Sequence, residues 1–173
     1  MTTPDRSHRL KRLLISASLL LWWLTACGRQ VGSVPTPPTI HYGEDVCELC
    51  GMIVSEAVYA GAYVTGDGHG HVFDDIGDMI QSHLTVGEVV TAFFVHDYDD
   101  NRWIRAETAH FILRDPASTP MGSGLVACEQ QDRAEALSVQ LDGRLMTFEE
   151  VLAYYQNKTS LPEKDIAHTA DHH

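Results

Sequence analysis

From Ala57 to His96 the sequence reads as strand, strand, helix, strand, and from Ala109 to Phe148 it reads that way again, with a tight turn between the first two strands in the first pass and a longer glycine-rich loop in the second. Ala57 to Thr65 is rich in β-branched and aromatic residues, Gly66-Asp67-Gly68 has turn chemistry, and His69 to Phe73 is the returning strand. Asp74 or Asp75 caps a helix running to about His83, with Ile76, Met79 and Ile80 on one face. Glu88 to His96 is a strong strand. The second pass starts with a short strand over Arg102 to Ala106. Strands over Ala109 to Arg114 and Gly124 to Cys128 follow. A helix then covers Glu129 to Val139, with Ala134, Leu137 and Val139 among its buried residues. Leu145 to Phe148 is a strand set up by the Asp142-Gly143 turn, and Glu149 to Gln156 is a closing helix. Mixed order with hairpins predicts an α+β fold: two linked ββαβ units forming one compact domain, at 45–98 and 99–156, rather than a wound parallel sheet. Residue identity between the units is slight.

The N-terminus falls outside this pattern. Arg6, Arg9, Lys11 and Arg12 lead into an apolar or small-residue run from Leu13 to Leu24. That run is short for a membrane span, which needs about 20 residues. A basic lead, a short apolar run and small residues after it predict a secretory signal peptide over 1–26. Leu24-Thr25-Ala26-Cys27 resembles the bacterial lipobox, which makes Cys27 the lipidation site; cleavage near Ala26 with Cys27 incidental is the plainer alternative. Residues 27–44, with Pro35, Pro37 and Pro38, predict an extended tether. Residues 157–173 predict a polar tail ending in His172-His173. The expected location is the cell envelope, lipid-anchored, facing the periplasm or the cell exterior.

The chain carries a formal charge of −12, which argues against nucleic acid as a partner. Of four cysteines, Cys27 is assigned to lipid. Cys47, Cys50 and Cys128 remain, an odd number that fits a disulfide framework poorly and suggests a thiol kept for chemistry.

The chemistry concentrates in Cys47-Glu48-Leu49-Cys50-Gly51-Met52. A Cys-x-x-Cys pair alone suits a redox disulfide, half a zinc site or a soft-metal site. No second such pair completes a four-thiolate zinc site. A thioredoxin-like pair would follow a parallel strand and open a helix, and this one follows a polar tether. Met52 stands two places after Cys50, so an extended backbone puts both on one face. Thiolate with thioether is the donor set that selects copper(I) over zinc. Met121, in the loop Pro120-Met121-Gly122-Ser123-Gly124, is a second thioether candidate; the bland alternative is a loop tip folded onto the surface.

These residues, with Val95-His96-Asp97 and Trp103, resemble the NosL family of membrane-attached copper chaperones over about Asp45 to Tyr155. The resemblance implies copper(I) as cargo and delivery to nitrous oxide reductase. It implicates Cys50, Met52 and Met121 as sulfur ligands, with Cys47 less fixed. Cys128 is either an added thiol or a buried bystander.

Histidines leave alternatives open. His96, beside Asp97, is a candidate nitrogen donor near the copper, with Asp97 orienting the ring, or else a solvent-bonded strand end. His69 and His71 share a face if extended, as a two-nitrogen metal site or as ordinary hairpin residues. The run Asp97-Tyr98-Asp99-Asp100 reads as a solvated loop. No hydrolase, phosphate-loop or dinucleotide signature is present, so no enzyme is expected. Three other functions compete: a copper carrier for another exported cuproprotein, a thiol–disulfide oxidoreductase using Cys47 and Cys50, and a structural lipoprotein stapled by that pair.

Overall fold

The computed structural model describes residues 34–160. The expected signal peptide, the expected lipidation site at Cys27 and the chain beyond residue 160 lie outside the described residues. The first half builds β1 (Gly61–Thr65), β2 (Gly70–Phe73), α1 (Ile76–Val86), β3 (Val90–His96) and β4 (Trp103–Arg105). The second builds β5 (His110–Leu113), β6 (Leu125–Cys128), α2 (Gln131–Gln140), β7 (Arg144–Met146) and α3 (Phe148–Ser160). One sheet has the order β2-β1-β3-β4 and the other β6-β5-β7, with every named pair antiparallel. In both, the first strand of the unit is central, its hairpin partner lies on one side, and the strand after the helix lies on the other. The repeat in element order is therefore a repeat in topology. β4 adds to β3 and so belongs to the first sheet.

Period-two alternation gives each sheet two covered faces. Tyr63, Phe73, Phe93 and Val95 from the first sheet meet Phe111, Leu125 and Ala127 from the second in one main core, with α1 and α3 contributing Ile76, Met79, Phe148 and Val151. Ile112, Val126 and Cys128 face the other way, onto Ala134 and Leu137 of α2. Ala62, Ala92 and Phe94 form a smaller cluster with Trp103 on the far face of the first sheet. The sheets are stitched where β3 ends: Asp97 forms a parallel bridge to Ala127, and the Tyr98 N–H donates to the Ala127 carbonyl at 2.8 Å.

Several expectations need correction. The backbone makes a 3-10 turn over Ala57–Tyr59, so the strand begins only at Gly61. Phe148 is not a strand residue but opens α3, which runs on to Ser160 and takes in the start of the expected tail. The end of the expected tether is docked: Pro38 lies against Gly70 of β2, and Ile40 packs on the main core. Asp97 is no solvated loop residue. It is buried, and its carboxylate accepts from the N–H groups of Asp99 (2.9 Å) and Glu129 (2.8 Å).

Val139 is 84% exposed rather than buried. Ala134 and Leu137, three apart, share the face of α2 that covers the second sheet, and Val139 sits two residues past Leu137, about 200° round the helix. Val139→Lys is therefore expected to change stability by less than about 0.5 kcal/mol in a denaturant titration. A loss of about 2 kcal/mol would mean that α2 is rotated on its sheet.

Candidate metal centre

The Cys47–Met52 segment is a closed loop, not an extended strand. Val46 and Ile53 form an antiparallel bridge, the Cys47 N–H donates to the Met52 carbonyl at 2.7 Å, and the Gly51 N–H donates to the Cys47 carbonyl at 2.9 Å. Gly51 makes the turn in the left-handed region, φ +75°, which a glycine adopts without steric cost. Alternation in this small ladder sends Cys47 and Val54 inward (1% and 0% exposed) and Val46 and Ile53 outward. Cys50 is half-buried and Met52 is 57% exposed, so the two do not share a face as an extended backbone would have them. Glu48 anchors the loop to β2. Its N–H donates to the Val72 carbonyl, and its carboxylate accepts from the Val72 N–H and meets His71 Nδ1 at 2.6 Å.

The first turn of α1 completes the cluster. Asp75 caps the helix by accepting from the Gly77 N–H at 2.7 Å. One turn on, Asp78 points at the cysteines: the Cys47 thiol donates to Asp78 Oδ2 at 3.3 Å. The sulfurs of Cys47 and Cys50 and a carboxylate oxygen of Asp78 all lie within 4.8 Å of one another. Sequence reasoning missed Asp78. Its signal was an acid placed next to Met79 and Ile80 on a face read as apolar, where a carboxylate needs a partner.

Three groups that can become anionic are crowded here, which favours a cation among them. Burial pushes the Cys50 thiol up to about 12, with Asp78 and Cys47 adding to the effect. Burial also raises the Asp78 carboxyl above its ordinary value. A soft cation would replace the thiol protons and remove the repulsion between the anions, so affinity is coupled to proton release.

Met52 and Met121 line one surface groove of about 440 Å³ together with Ser55, Tyr59, Asp74 and Thr119. The Met121 loop is tied to α1 through Asp75, whose second carboxylate oxygen accepts from the Met121 N–H at 3.2 Å. One capping residue thus links the helix turn that carries Asp78 to the loop that carries Met121.

The structure does not bring His96 to the cysteines. Along β3 its parity is that of Phe94, the far face of the first sheet, whereas Cys47 packs with Phe93 and Val95 in the main core. Both ring nitrogens are engaged. His96 Nδ1 donates to the Asn101 carbonyl at 2.6 Å, which leaves Nε2 to accept from the Tyr42 hydroxyl at 2.7 Å, and the ring lies on Trp103 with centroids 3.8 Å apart. The Asn101 carbonyl, not Asp97, orients it. Cys128 sits in the separate core under α2, its thiol pushed up to about 11 by burial.

Chemically, this α+β domain offers a metal ion two thiols and a carboxylate at the start of a helix, with Met52 and Met121 on a surface groove that the other three do not line. The chain belongs to the NosL family, whose model matches residues 38–155. It is 24% identical over 155 residues to the copper-binding lipoprotein NosL of Stutzerimonas stutzeri, covering 83% of this chain and 82% of that one. The fold is that of the crystal structure of the copper chaperone NosL from Shewanella denitrificans. The TM-score is 0.60 at 24% identity, over 68% of this chain and 96% of that one.

Proposed function

We propose that this chain is a membrane-anchored metallochaperone that binds copper(I) and hands it to nitrous oxide reductase. The observation that carries the reading is the convergence of Cys47, Cys50 and Asp78 beside a groove bearing Met52 and Met121. Soft sulfur donors select copper(I). A carrier needs ligands that a partner's donors can replace one at a time. Thioethers on a solvent-facing groove allow that, where a closed four-thiolate cage would trap the metal. The family and the copper named for both relatives agree with this reading, and Cys27 supplies the lipid anchor in the envelope. The protein is a carrier and catalyses no reaction.

The reduced full-length chain in detergent is expected to take up one copper(I), with sulfur-dominated X-ray absorption. A spectrum showing only nitrogen or oxygen neighbours would overturn the site. The client is tested separately, by transfer from the loaded chain to copper-free nitrous oxide reductase. Uptake of copper(I) without transfer to the reductase would point to another exported cuproprotein as client.

A further inference from the structure

We propose that His69, His71 and Glu88 form a second metal site, separate from the sulfur cluster and suited to a borderline divalent cation, copper(II) ahead of zinc(II). The key residue is His71, whose side chain is only 14% exposed. It pairs across the sheet with Tyr63, and the two rings stack with centroids 4.7 Å apart. Its Nδ1 meets the Glu48 carboxylate at 2.6 Å, and that carboxylate is itself held by the Val72 N–H. A carboxylate on one ring nitrogen fixes the tautomer and aims the other nitrogen's lone pair, as in metal-binding histidines.

The aimed atom, Nε2, faces Glu88 Oε2 at 3.5 Å. That oxygen also accepts from the Tyr63 hydroxyl at 3.4 Å, and a cation held between Nε2 and the Glu88 carboxylate would be shared by both. A proton can serve, and so can a metal. The surroundings favour the metal. Nε2 and Glu88 border an open cavity of about 290 Å³, lined also by Asp67 and His69. The exposed His69 ring packs edge-on against His71 with centroids 4.7 Å apart; the three donors do not converge as placed, so the site requires the His69 side chain to rotate toward Nε2 and Glu88. Two imidazoles and a carboxylate suit copper(II) and zinc(II), and the divalent series places copper(II) first. The site holds no sulfur, so it does not compete for copper(I) on the cysteines' terms. The two centres touch through Glu48, which orients His71 and stands between Cys47 and Cys50 in the sequence.

The test uses the full-length chain in detergent with Cys47→Ser and Cys50→Ser, which removes the sulfur cluster, and with His168, His172 and His173 changed to alanine, which removes competing tail imidazoles. Copper(II) titration followed by electron paramagnetic resonance is expected to show one site with nitrogen hyperfine structure, and zinc(II) to displace the copper only at high excess. His71→Ala should weaken binding by about a hundredfold, and His69→Ala and Glu88→Gln by about tenfold each, the scale seen when partners of a metal site are removed. Glu88 is surface-exposed, so Glu88→Gln tests the site without threatening the fold. Copper(II) affinity unmoved by both His71→Ala and Glu88→Gln would overturn the proposal. So would an absence of uptake, which would leave a proton as the cation shared by His71 and Glu88. Neither result depends on copper(I) binding by the sulfur cluster.

Discussion

Cys50→Ser is expected to lower copper(I) affinity by more than about a hundredfold, since even the outer partners of metal ligands are worth roughly 10–100-fold. Three features set this size. Cys50 lies with Cys47 and Asp78 inside a 4.8 Å cluster, so in the proposed site removing its sulfur removes a direct donor. It is covalently next to the Gly51 turn that leads to Met52, so no neighbouring sulfur can move into its place without opening the loop. Its thiol, pushed up to about 12, holds its proton at neutral pH, so copper must displace that proton. Affinity in the wild type should therefore rise as pH rises below that value, and the rise per pH unit should be shallower by one proton in the serine variant. Competition against a copper(I) chelator at several pH values measures both quantities. Met121→Leu should cost about tenfold with the fold intact and the pH slope unchanged, because a thioether carries no proton. A serine variant of wild-type affinity would remove Cys50 from the site.

Gly124→Ala is expected to destabilise the protein by about 2–5 kcal/mol, the sum of a left-handed alanine at roughly 1–2 kcal/mol and overpacking at roughly 1–3 kcal/mol. Gly124 has φ +72°, and a Cβ placed on it falls 2.3 Å from the Arg114 carbonyl oxygen, a backbone atom that cannot swing aside. That residue closes the Met121 loop: its N–H donates to the Thr119 hydroxyl, and its carbonyl accepts from the Arg114 N–H. A thermal melt should show a fall of roughly 4–20 °C. Copper(I) affinity should fall as well, as the loop leaves Asp75. Gly51→Ala is the internal comparison. Its φ is +75°, but nothing lies within 4 Å of the added Cβ, so only the left-handed cost of about 1–2 kcal/mol applies. Equal losses at the two glycines would mean that the 114–124 loop does not close as described.

Elements were legible in the sequence where local chemistry decides them. Asp75 caps α1 because a short acidic side chain reaches the free N–H groups of the first turn, and Gly66-Asp67-Gly68 turns β1 into β2 because its backbone permits the turn. The reading failed where neighbours in space decide. The 3-10 turn at Ala57–Tyr59 has residue types that suit a strand, and nothing local forbids one. Val139 is apolar, but its side of α2 meets no sheet. His96 looked available because Asp97 follows it; the pleat of β3 turned it to the face where Tyr42, Asn101 and Trp103 engage it.

The sequence by itself determined the ββαβ rhythm, the capped helix and the contiguous Cys47–Met52 segment, because covalent spacing and side-chain periodicity act over a few residues. Only the tertiary structure decided that Asp78 faces the cysteines, that Met52 and Met121 border one groove, and that His96 lies elsewhere. Those relations come from how α1 and the 116–124 loop pack against the sheets. Side chains 28 to 69 residues apart become neighbours only when the shared core is buried, and no local pattern encodes which face of an element that core will take.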